Sequence, residues 1–301
     1  MKNDVILCLD IGGTNFRMGL VDREYGLSYV KIVSTAKTAE GGFVAGLTRE
    51  IQTYLDAVSD HVNVRAVSMG VPATVDKAHT TVLQAPNVPG LDNQPVVAVL
   101  EDALKLPVFL EKDVNLLVTY DLMEQQLPED STIIGIYFGT GIGNAIYING
   151  KLHAGKNGVA GELGHIPQIH SHTRCGCGME GCVEPMGGGR RLTELCESLF
   201  PDTPISDIYR CHGSHPSVCE QIDAMAATVA TEVNILDPDY VIIGGGLPQM
   251  KGFPVEYFLE CVKKHTRPPY PRDTLDIRFA RPNQENGIIG AGIYGWKQLN
   301  K

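Results

Sequence analysis

The chain has 301 residues, 43% of them hydrophobic, and its 25 Lys and Arg residues against 35 Asp and Glu residues give a formal net charge of -10. This length predicts one to two domains, and the acidic balance argues against a broad nucleic-acid surface while allowing a local basic pocket for an anionic ligand. The N-terminus has no charged leader followed by a long apolar segment, and no stretch reaches about eighteen apolar residues, which predicts a cytoplasmic protein without a membrane span. Small molecules are therefore the expected partners.

Strand-like and helix-like segments alternate along the chain, and their order is similar in two halves. In the first half, buried apolar runs predict strands at 5–9, 16–21, 29–33, 64–69 and 108–111, and helical spacing predicts helices at 42–57 and 114–126. In the second half, the same patterns predict strands at 132–138, 144–148 and 240–243 and helices at 217–236 and 287–298. Each half opens with a strand, a glycine turn and a second strand, so the sequence predicts duplicated α/β lobes with a ligand cleft between them.

Three glycine clusters follow predicted strands: Asp10-Ile-Gly-Gly-Thr-Asn15, Phe138-Gly-Thr-Gly-Ile-Gly143 and Ile242-Ile-Gly-Gly-Gly246. Glycines let the backbone approach a phosphate and let amide hydrogens point at it, whereas a carboxylate at Asp10 would repel phosphate and is expected to act through Mg²⁺ or its waters. An ordinary hairpin turn is the alternative for any single cluster, and the repetition favours phosphate binding. None of the clusters matches Walker A or the dinucleotide fingerprint.

The segment from His165 to Cys182 contains three histidines and three cysteines. In a reducing compartment, clustered cysteines point to a metal site rather than to a disulfide framework. A chance grouping of loop residues is the alternative.

These motifs, taken in order, resemble the nucleotide-binding core shared by actin, the heat-shock ATPases and the sugar kinases. Within that group the sequence is similar to the ROK family of bacterial sugar kinases and repressors, because Gly158-Val-Ala-Gly-Glu-Leu-Gly-His165 and Cys175-Gly-Cys-Gly-Met-Glu-Gly-Cys-Val-Glu184 match its signature nearly throughout. The resemblance runs from Asp10 to Gly292, essentially the whole chain. It implies a two-lobed, actin-like (ribonuclease H-like) α/β sugar kinase fold with the ligand cleft between the lobes.

The resemblance also implies the lobe boundaries and the nucleotide site. The N-terminal lobe is expected at 1–112 and is completed by a C-terminal helix at about 287–301. The larger C-terminal lobe is expected at 113–286 and carries the segment His165–Cys182, called here the cysteine-rich loop. ATP with Mg²⁺ is the expected nucleotide. The expected ATP-binding residues are Asp10, Gly12, Gly13, Thr14, Asn15, Arg17, Gly139, Thr140, Gly141, Gly143, Gly244, Gly245 and Gly246.

A structural zinc ion is the expected occupant of the cysteine-rich loop. The spacing H-x9-C-x-C-x4-C supplies one imidazole and three thiolates, enough for a closed tetrahedral site. The positions that match the family's zinc ligands are His165, Cys175, Cys177 and Cys182. His170 and His172 match no ligand position; they remain possible substitutes by their chemistry, or solvent-facing loop residues.

The resemblance assigns sugar-binding and catalytic roles to a second group of residues. Glu162 and Glu184 are expected to accept hydrogen bonds from sugar hydroxyls, with His165 touching the sugar through its other nitrogen. Their alternatives are a helix-capping role for Glu162 and a solvated carboxylate for Glu184. Asp113, at a strand end, matches the catalytic aspartate that orients the attacking hydroxyl and takes its proton. Lys112 stands where the family usually has a sugar-binding asparagine, and could instead extend into solvent or pair with an acid.

Two loops give weaker predictions. Pro72-Ala-Thr-Val-Asp76 and Ala85-Pro-Asn-Val-Pro89 are similar to two sugar loops of the family, which makes Thr74 and Asn87 candidate sugar contacts. Turn formation by Pro and Asn alone is the alternative for each.

The expected reaction is transfer of phosphate from ATP to the 6-hydroxyl of a hexose. The basic residue at 112, the Pro-Asn-Val-Pro loop and Asn144-Ala145 in place of two glycines favour D-allose, which differs from glucose in the orientation of the 3-hydroxyl. Glucose, N-acetylmannosamine and fructose are the alternatives. A sugar-sensing repressor is disfavoured because its winged helix-turn-helix would have to precede the first glycine cluster, which already begins at Asp10. A chaperone-like ATPase switch is disfavoured because it would not explain the cysteine-rich loop. A homodimer is typical of the family.

Overall fold

The structure is a computed structural model, and it describes residues 2–301. It divides into two compact units. Unit 1 contains the chain up to Leu127, the short segment Ala154–Ala160 and the C-terminal segment Asn283–Lys301, whereas unit 2 contains Pro128–His153 and Gly161–Pro282. The boundary expected at 112 falls before a helix that the structure places in unit 1.

Unit 1 is built on a five-stranded sheet with the order β3-β2-β1-β4-β7. Its strands are β1 (Asn3–Ile11), β2 (Asn15–Val21), β3 (Leu27–Ser34), β4 (Val62–Val71), β7 (Val108–Lys112) and the small separate pair β5 (Thr74–Val75) and β6 (Val82–Gln84). Its helices are α1 (Thr35–Thr38), α2 (Phe43–Val58), α3 (Val96–Leu104), α4 (Asp113–Glu124) and α10 (Asn286–Leu299). The strand β1 pairs antiparallel with β2 and parallel with β4.

Unit 2 repeats this plan with the strand order β10-β9-β8-β11-β12. Its strands are β8 (Thr132–Phe138), β9 (Ile142–Ile148), β10 (Lys151–Leu152), β11 (Tyr240–Gly244) and β12 (Ile277–Phe279). Its helices are α5 (Glu184–Gly187), α6 (Gly189–Leu199), α7 (Ile208–His212), α8 (Pro216–Leu236) and α9 (Val255–His265). Because β8 pairs antiparallel with β9 and parallel with β11, the prediction of two similar α/β halves is confirmed.

The central strand of unit 1, β1, is apolar from Val5 to Leu9 because both faces of its sheet are covered there. Side chains alternate along a strand, so Leu7 and Leu9 join the core formed with α2, while Ile6 and Cys8 join the core formed with α10. These positions are fully buried. The burial fixes β1 in register and thereby places the loop that follows it. Within residues 2–301, the helices include none with the length and apolar character needed to cross a membrane.

Candidate active site and metal site

The first glycine cluster forms a tight turn between β1 and β2. The Gly12 amide donates to the carbonyl oxygen of Asn15, 3.1 Å away. A side chain on Gly13 would come within 2.9 Å of the carbonyl oxygen of Asn87, so only glycine permits this approach. The turn therefore brings the predicted sugar loop at Asn87 against the predicted phosphate turn.

Asp10 lies at the end of β1, opposite Arg17 of β2. Burial raises the pKa of the Asp10 carboxyl, and the guanidinium of Arg17 partly offsets that rise. Arg17 also donates to the side-chain oxygen of Gln284, 3.2 Å away. A Cβ on Gly287 would lie 2.6 Å from the Asp10 carboxyl carbon, so the first turn of α10 packs directly on this carboxylate. A helix N-terminus is a favourable neighbour for a negative charge.

Asp113 begins α4 directly after β7 ends. Its Oδ1 accepts a hydrogen bond from the Val114 amide at 2.8 Å. Removal from water and the nearby negative charge of Asp10 raise the pKa of Asp113 to about 7, against the opposing effects of the Val114 amide and the Lys112 ammonium. Asp10 and Asp113 are about a hundred residues apart in the sequence, and the fold brings their carboxylates close enough for the charge of one to affect the other.

Lys112 is buried, with 8% of its surface exposed. Its Nζ donates to the carbonyl oxygen of Ala160 at 3.4 Å. Ala160 directly precedes Gly161 and Glu162 of the family signature. The ammonium is therefore held inside the protein and not extended into solvent.

The two weaker sugar candidates lie in unit 1. Thr74 begins β5 and is partly buried, whereas Asn87 is exposed in the loop that follows β6. Thr74 pairs with Gln84 across the small β5–β6 sheet. Both side chains therefore sit on connections near the carboxyl ends of the unit 1 strands.

The second glycine cluster joins β8 to β9 in unit 2, and several groups hold its backbone. The amides of Gly189 and Arg190, at the start of α6, donate to the carbonyl oxygens of Gly139 and Thr140 at 2.8 and 3.2 Å. The Ile142 amide donates to Oε2 of Glu184 at 3.0 Å. This turn is consequently held by backbone contacts from the start of α6 and by the side-chain carboxylate of Glu184.

The third glycine cluster packs against the end of β8. The Leu247 amide donates to the Phe138 carbonyl oxygen at 3.0 Å, and Gly245 has a φ of 90°, a conformation that favours glycine. Because β8 and β11 are parallel neighbours, the second and third clusters meet at the same sheet edge. The sequence predicts both as phosphate turns, and the structure brings them together.

The cysteine-rich loop brings four donor atoms to one point. One ligand atom from each of four residues lies within 4.8 Å of the other three: His165, Cys175, Cys177 and Cys182. His165 Nδ1 is 3.6 Å from Cys175 Sγ, and the sulfur atoms of Cys177 and Cys182 are 3.7 Å apart. An imidazole and three thiolates at this spacing fit a tetrahedral Zn²⁺ ion. His170 and His172 do not belong to this group.

Both carboxylates of the family signature border the cysteine-rich loop. Glu162 Oε2 is 3.7 Å from Nε2 of His165, the nitrogen that faces away from the sulfur atoms. Glu162 precedes a short 3-10 helix, Leu163–His165, but its side chain does not cap that helix. Glu184 Oε1 lies 3.9 Å from Cys175 Sγ, while Oε2 accepts from the Ile142 amide. Glu184 therefore contacts both the loop and the second glycine turn.

Glu111 and Glu232 are two of the buried carboxylates that were not predicted from the sequence. Glu111, 3% exposed, stands immediately before Lys112, and Glu232 of α8 accepts a hydrogen bond from Asn144 Nδ2 at 2.7 Å. Burial raises the pKa of Glu232 to about 8. The sequence signal that could have identified them is an acidic residue inside an otherwise apolar strand or helix segment. Such a residue is rarely buried without a partner, so its position indicates a buried hydrogen bond or ion pair.

The fold and the two sites define the class of protein: the chain matches the ROK family over residues 6–297 and belongs to that family. It is 26% identical to the glucokinase of Thermotoga maritima, with 95% of each chain covered, and 28% identical to the N-acetyl-D-glucosamine kinase of Haemophilus influenzae, with 94% of this chain and 96% of the relative covered. Among solved structures, it is similar to a ROK family glucokinase from Streptomyces griseus in complex with glucose and AMPPNP. That similarity has a TM-score of 0.79 and an identity of 27%, over 96% of this chain and 98% of the other.

Proposed function

We propose that the protein transfers the γ-phosphoryl group of ATP to the 6-hydroxyl of a hexose, and that D-allose is its preferred substrate. The observation that carries the proposal is the pair formed by Asp10 and Asp113, in which Asp113 has a pKa of about 7 and stands beside a buried Lys112. A general base works best when its pKa lies near the operating pH. Similarity to a glucokinase and to an N-acetyl-D-glucosamine kinase supports the sugar kinase class.

Asp113 acts as the base in this proposal. Its carboxylate accepts the proton of the 6-hydroxyl while the hydroxyl oxygen attacks the γ-phosphorus and the bond to the ADP oxygen breaks. Most of the acceleration in phosphoryl transfer comes from alignment and charge stabilisation, so Asp113 chiefly orients the hydroxyl and takes its proton late. The hydrogen bond from Val114 fixes one carboxylate oxygen for this task.

The nucleotide is assigned to the three glycine turns and to Asp10. Bound Mg²⁺ supplies charge neutralisation at the phosphates, and the Asp10 carboxylate is an oxygen donor of the kind that this ion prefers. Arg17, adjacent to Asp10 in the sheet, adds a positive charge for the phosphate oxygens. The glycines of these turns carry no side chains of their own, so a phosphate can approach their backbone amides.

Sugar recognition is assigned to Lys112, Glu162, His165 and Glu184, with Thr74 and Asn87 as further contacts. A closed site of one imidazole and three thiolates leaves no position for a reacting water, so zinc is assigned a structural role. It would fix the loop that Glu162 and Glu184 flank, and it would orient His165. The reducing conditions of the cytoplasm would keep the three thiols available for the ion.

The preference for D-allose rests on Lys112. An ammonium only donates hydrogen bonds, whereas an asparagine amide both donates and accepts, so the exchange alters which arrangement of ring hydroxyls is satisfied. Glucose, N-acetylmannosamine and fructose remain the alternative substrates, and the Haemophilus influenzae relative adds N-acetylglucosamine to them.

An ATP-consumption screen over aldohexoses, ketohexoses and their 2-acetamido derivatives tests the proposal. We expect the highest kcat/KM with D-allose and phosphorus NMR that places the phosphate on O6. A higher kcat/KM with another sugar would refute allose but retain the kinase. Sugar binding without any turnover would favour a sugar-sensing regulator, and sedimentation analysis in the same samples would test the expected homodimer.

A further inference from the structure

The carboxylate of Glu111 connects three separate elements of unit 1. Its Oε1 accepts hydrogen bonds from the Lys112 amide and from Asn115 Nδ2, both at 2.8 Å. Its Oε2 lies 3.4 Å from His79 Nδ1, and the Tyr294 hydroxyl donates to the same carboxylate. The side chain is 4% exposed. A buried carboxylate with four donors around it is a fully used hydrogen-bonding centre.

Each partner of Glu111 belongs to an element that carries part of the candidate active site. Asn115 lies in the first turn of α4, which begins with Asp113. Tyr294 lies in α10, whose first turn packs on Asp10. His79 lies in the loop between β5 and β6, and β5 begins with Thr74.

Hydrogen bonds within the β5–β6 loop fix the backbone conformation around His79. Asp76 Oδ1 accepts from the amides of Thr80 and Thr81 at 2.7 and 2.8 Å, and His79 has a φ of 55°. His79 Nδ1 also faces the Leu110 carbonyl oxygen at 3.2 Å. Because both of its neighbours are acceptors, Nδ1 carries the hydrogen and donates to them.

We propose that Glu111 is a positioning residue for phosphoryl transfer, whose carboxylate holds α4, α10 and the β5–β6 loop in one arrangement and thereby sets the places of Asp113, Asp10 and Thr74. This inference rests on the proposed sugar kinase function. A misplacement of about 1 Å at a reacting group costs on the order of a hundredfold in rate, so a residue that touches no substrate can still govern turnover.

Glu111→Gln is the informative variant because it keeps the volume of the side chain. Oε1 accepts from two donors, so the amide oxygen must take that position and the amide NH₂ must face His79 Nδ1 and the Tyr294 hydroxyl. The Leu110 carbonyl oxygen keeps His79 Nδ1 as a donor, whereas the Tyr294 hydroxyl can turn and accept from the NH₂ group. The variant therefore keeps the bonds to Lys112 and Asn115, can keep a bond to Tyr294 of α10, and loses the bond to His79 of the β5–β6 loop. Glu101→Gln is the matched control, since Glu101 Oε1 accepts from the Val108 amide at the opposite end of β7, at 3.1 Å.

We expect Glu111→Gln to lower kcat by about ten- to a hundredfold with the KM for ATP changed by less than about threefold, and Glu101→Gln to leave both unchanged. In an Asp113→Asn background, Glu111→Gln should cause little further loss, because residues that act through one another are not additive. An equal fractional loss in both backgrounds, or a wild-type kcat in Glu111→Gln, would overturn the proposal.

Variants of His79 provide a second test that does not depend on the stability of Glu111→Gln. His79→Asn keeps an N–H donor and tolerates the positive φ, and it should retain most of the wild-type kcat, whereas His79→Leu should lose as much as Glu111→Gln. Equal kcat values for the Asn and Leu variants would contradict the assigned hydrogen bond.

Hydrogen exchange separates this inference from the proposed function. In Glu111→Gln without substrate, the amides of residues 76–82 should exchange faster than in the wild type and in Glu101→Gln. If the wild type phosphorylates no hexose, the proposed function is wrong and the exchange result alone decides whether Glu111 holds the loop. Unchanged exchange in residues 76–82 would overturn the positioning role in either case.

Discussion

Asp113 shows how one side chain acquires its chemistry from residues distant in sequence. As a free carboxyl it would be ionised far below neutral pH. Burial and the charge of Asp10 raise its pKa to about 7, and these two causes depend on the packing of β1, β7 and α4. The residue itself could be chosen from the sequence by its resemblance to a family position. Its raised pKa could not be predicted from the sequence, because Asp10, the neighbour that helps to raise it, lies about a hundred residues away.

Replacement of this carboxylate should abolish turnover and its pH dependence together. Asp113→Asn removes the base, so we expect kcat to fall by at least about a hundredfold while sugar and ATP still bind. In the wild type the base must be deprotonated, so kcat/KM should fall as the pH drops below about 7, and this step should be absent in the variant. Asp102→Asn, at an exposed ion pair with Lys105, is the control. Retention of more than about a tenth of the wild-type kcat would refute the assignment of the base.

Lys112 is the residue from which sugar preference is expected. Lys112→Asn should shift the allose-to-glucose ratio of kcat/KM toward glucose by on the order of tens- to a hundredfold, because a site that hydrogen-bonds a particular hydroxyl strongly penalises its mismatch. Lys105→Asn is a matched control, since Lys105 is an exposed lysine whose φ of 55° asparagine also tolerates. An unchanged ratio would remove Lys112 from sugar selection.

At the scale of elements, every strand and helix that periodicity predicted is observed within two residues of its predicted bounds, whereas the helices α1, α3, α5, α6, α7 and α9 and the short strands β5, β6, β10 and β12 were not predicted. The predicted helix at 217–236 is observed at Pro216–Leu236, and the predicted strand at 132–138 is observed with the same bounds. α3 was missed because its sequence, VVAVLEDAL, is a short apolar run that fits a strand as well as a helix. β5 and β6 were missed because two or three residues carry no detectable alternation.

The cysteine-rich loop should depend on its metal for its conformation. Cys177→Ser removes one of four converging ligands, so we expect about one zinc ion per chain in the wild type and its loss in the variant, with faster proteolysis within residues 165–182. Cys211→Ser, at an exposed cysteine outside the group, should keep the metal. Elemental analysis that finds no zinc in the wild type, or full zinc in a variant lacking two of the three thiols, would contradict the site.

At the scale of the whole molecule, the chain path was the hardest feature to derive. Unit 1 includes α4, the segment Ala154–Ala160 and the C-terminal helix α10, and the two segments of unit 2 lie between these pieces in the sequence. Local patterns indicate that 287–298 is helical, but only the resemblance assigned that helix to the first lobe. The physical reason for its place is visible in the structure: α10 covers Ile6 and Cys8 of β1 and packs on α4.

The contact between α10 and α4 supplies a test of this chain path. A Cβ on Gly290 would collide with the carbonyl oxygen of Leu116, so the two helix backbones touch at this glycine. Alanine normally stabilises a helix relative to glycine by about 0.5–1 kcal/mol. We nevertheless expect Gly290→Ala to lower the free energy of unfolding by about 1–3 kcal/mol, because the added methyl group must push the helices apart.

Trp296, the only tryptophan of the chain, lies in α10 and makes urea unfolding of unit 1 visible by fluorescence. Its indole nitrogen donates to the Asp22 carbonyl oxygen at 2.8 Å, so its emission should change when α10 leaves the sheet. Gln52→Ala, at an exposed position of α2, serves as the control and should leave the midpoint unchanged within about 0.5 kcal/mol. A Gly290→Ala protein as stable as the wild type would mean that α10 does not rest on the backbone of α4, and the C-terminal segment would then have a different place in the fold.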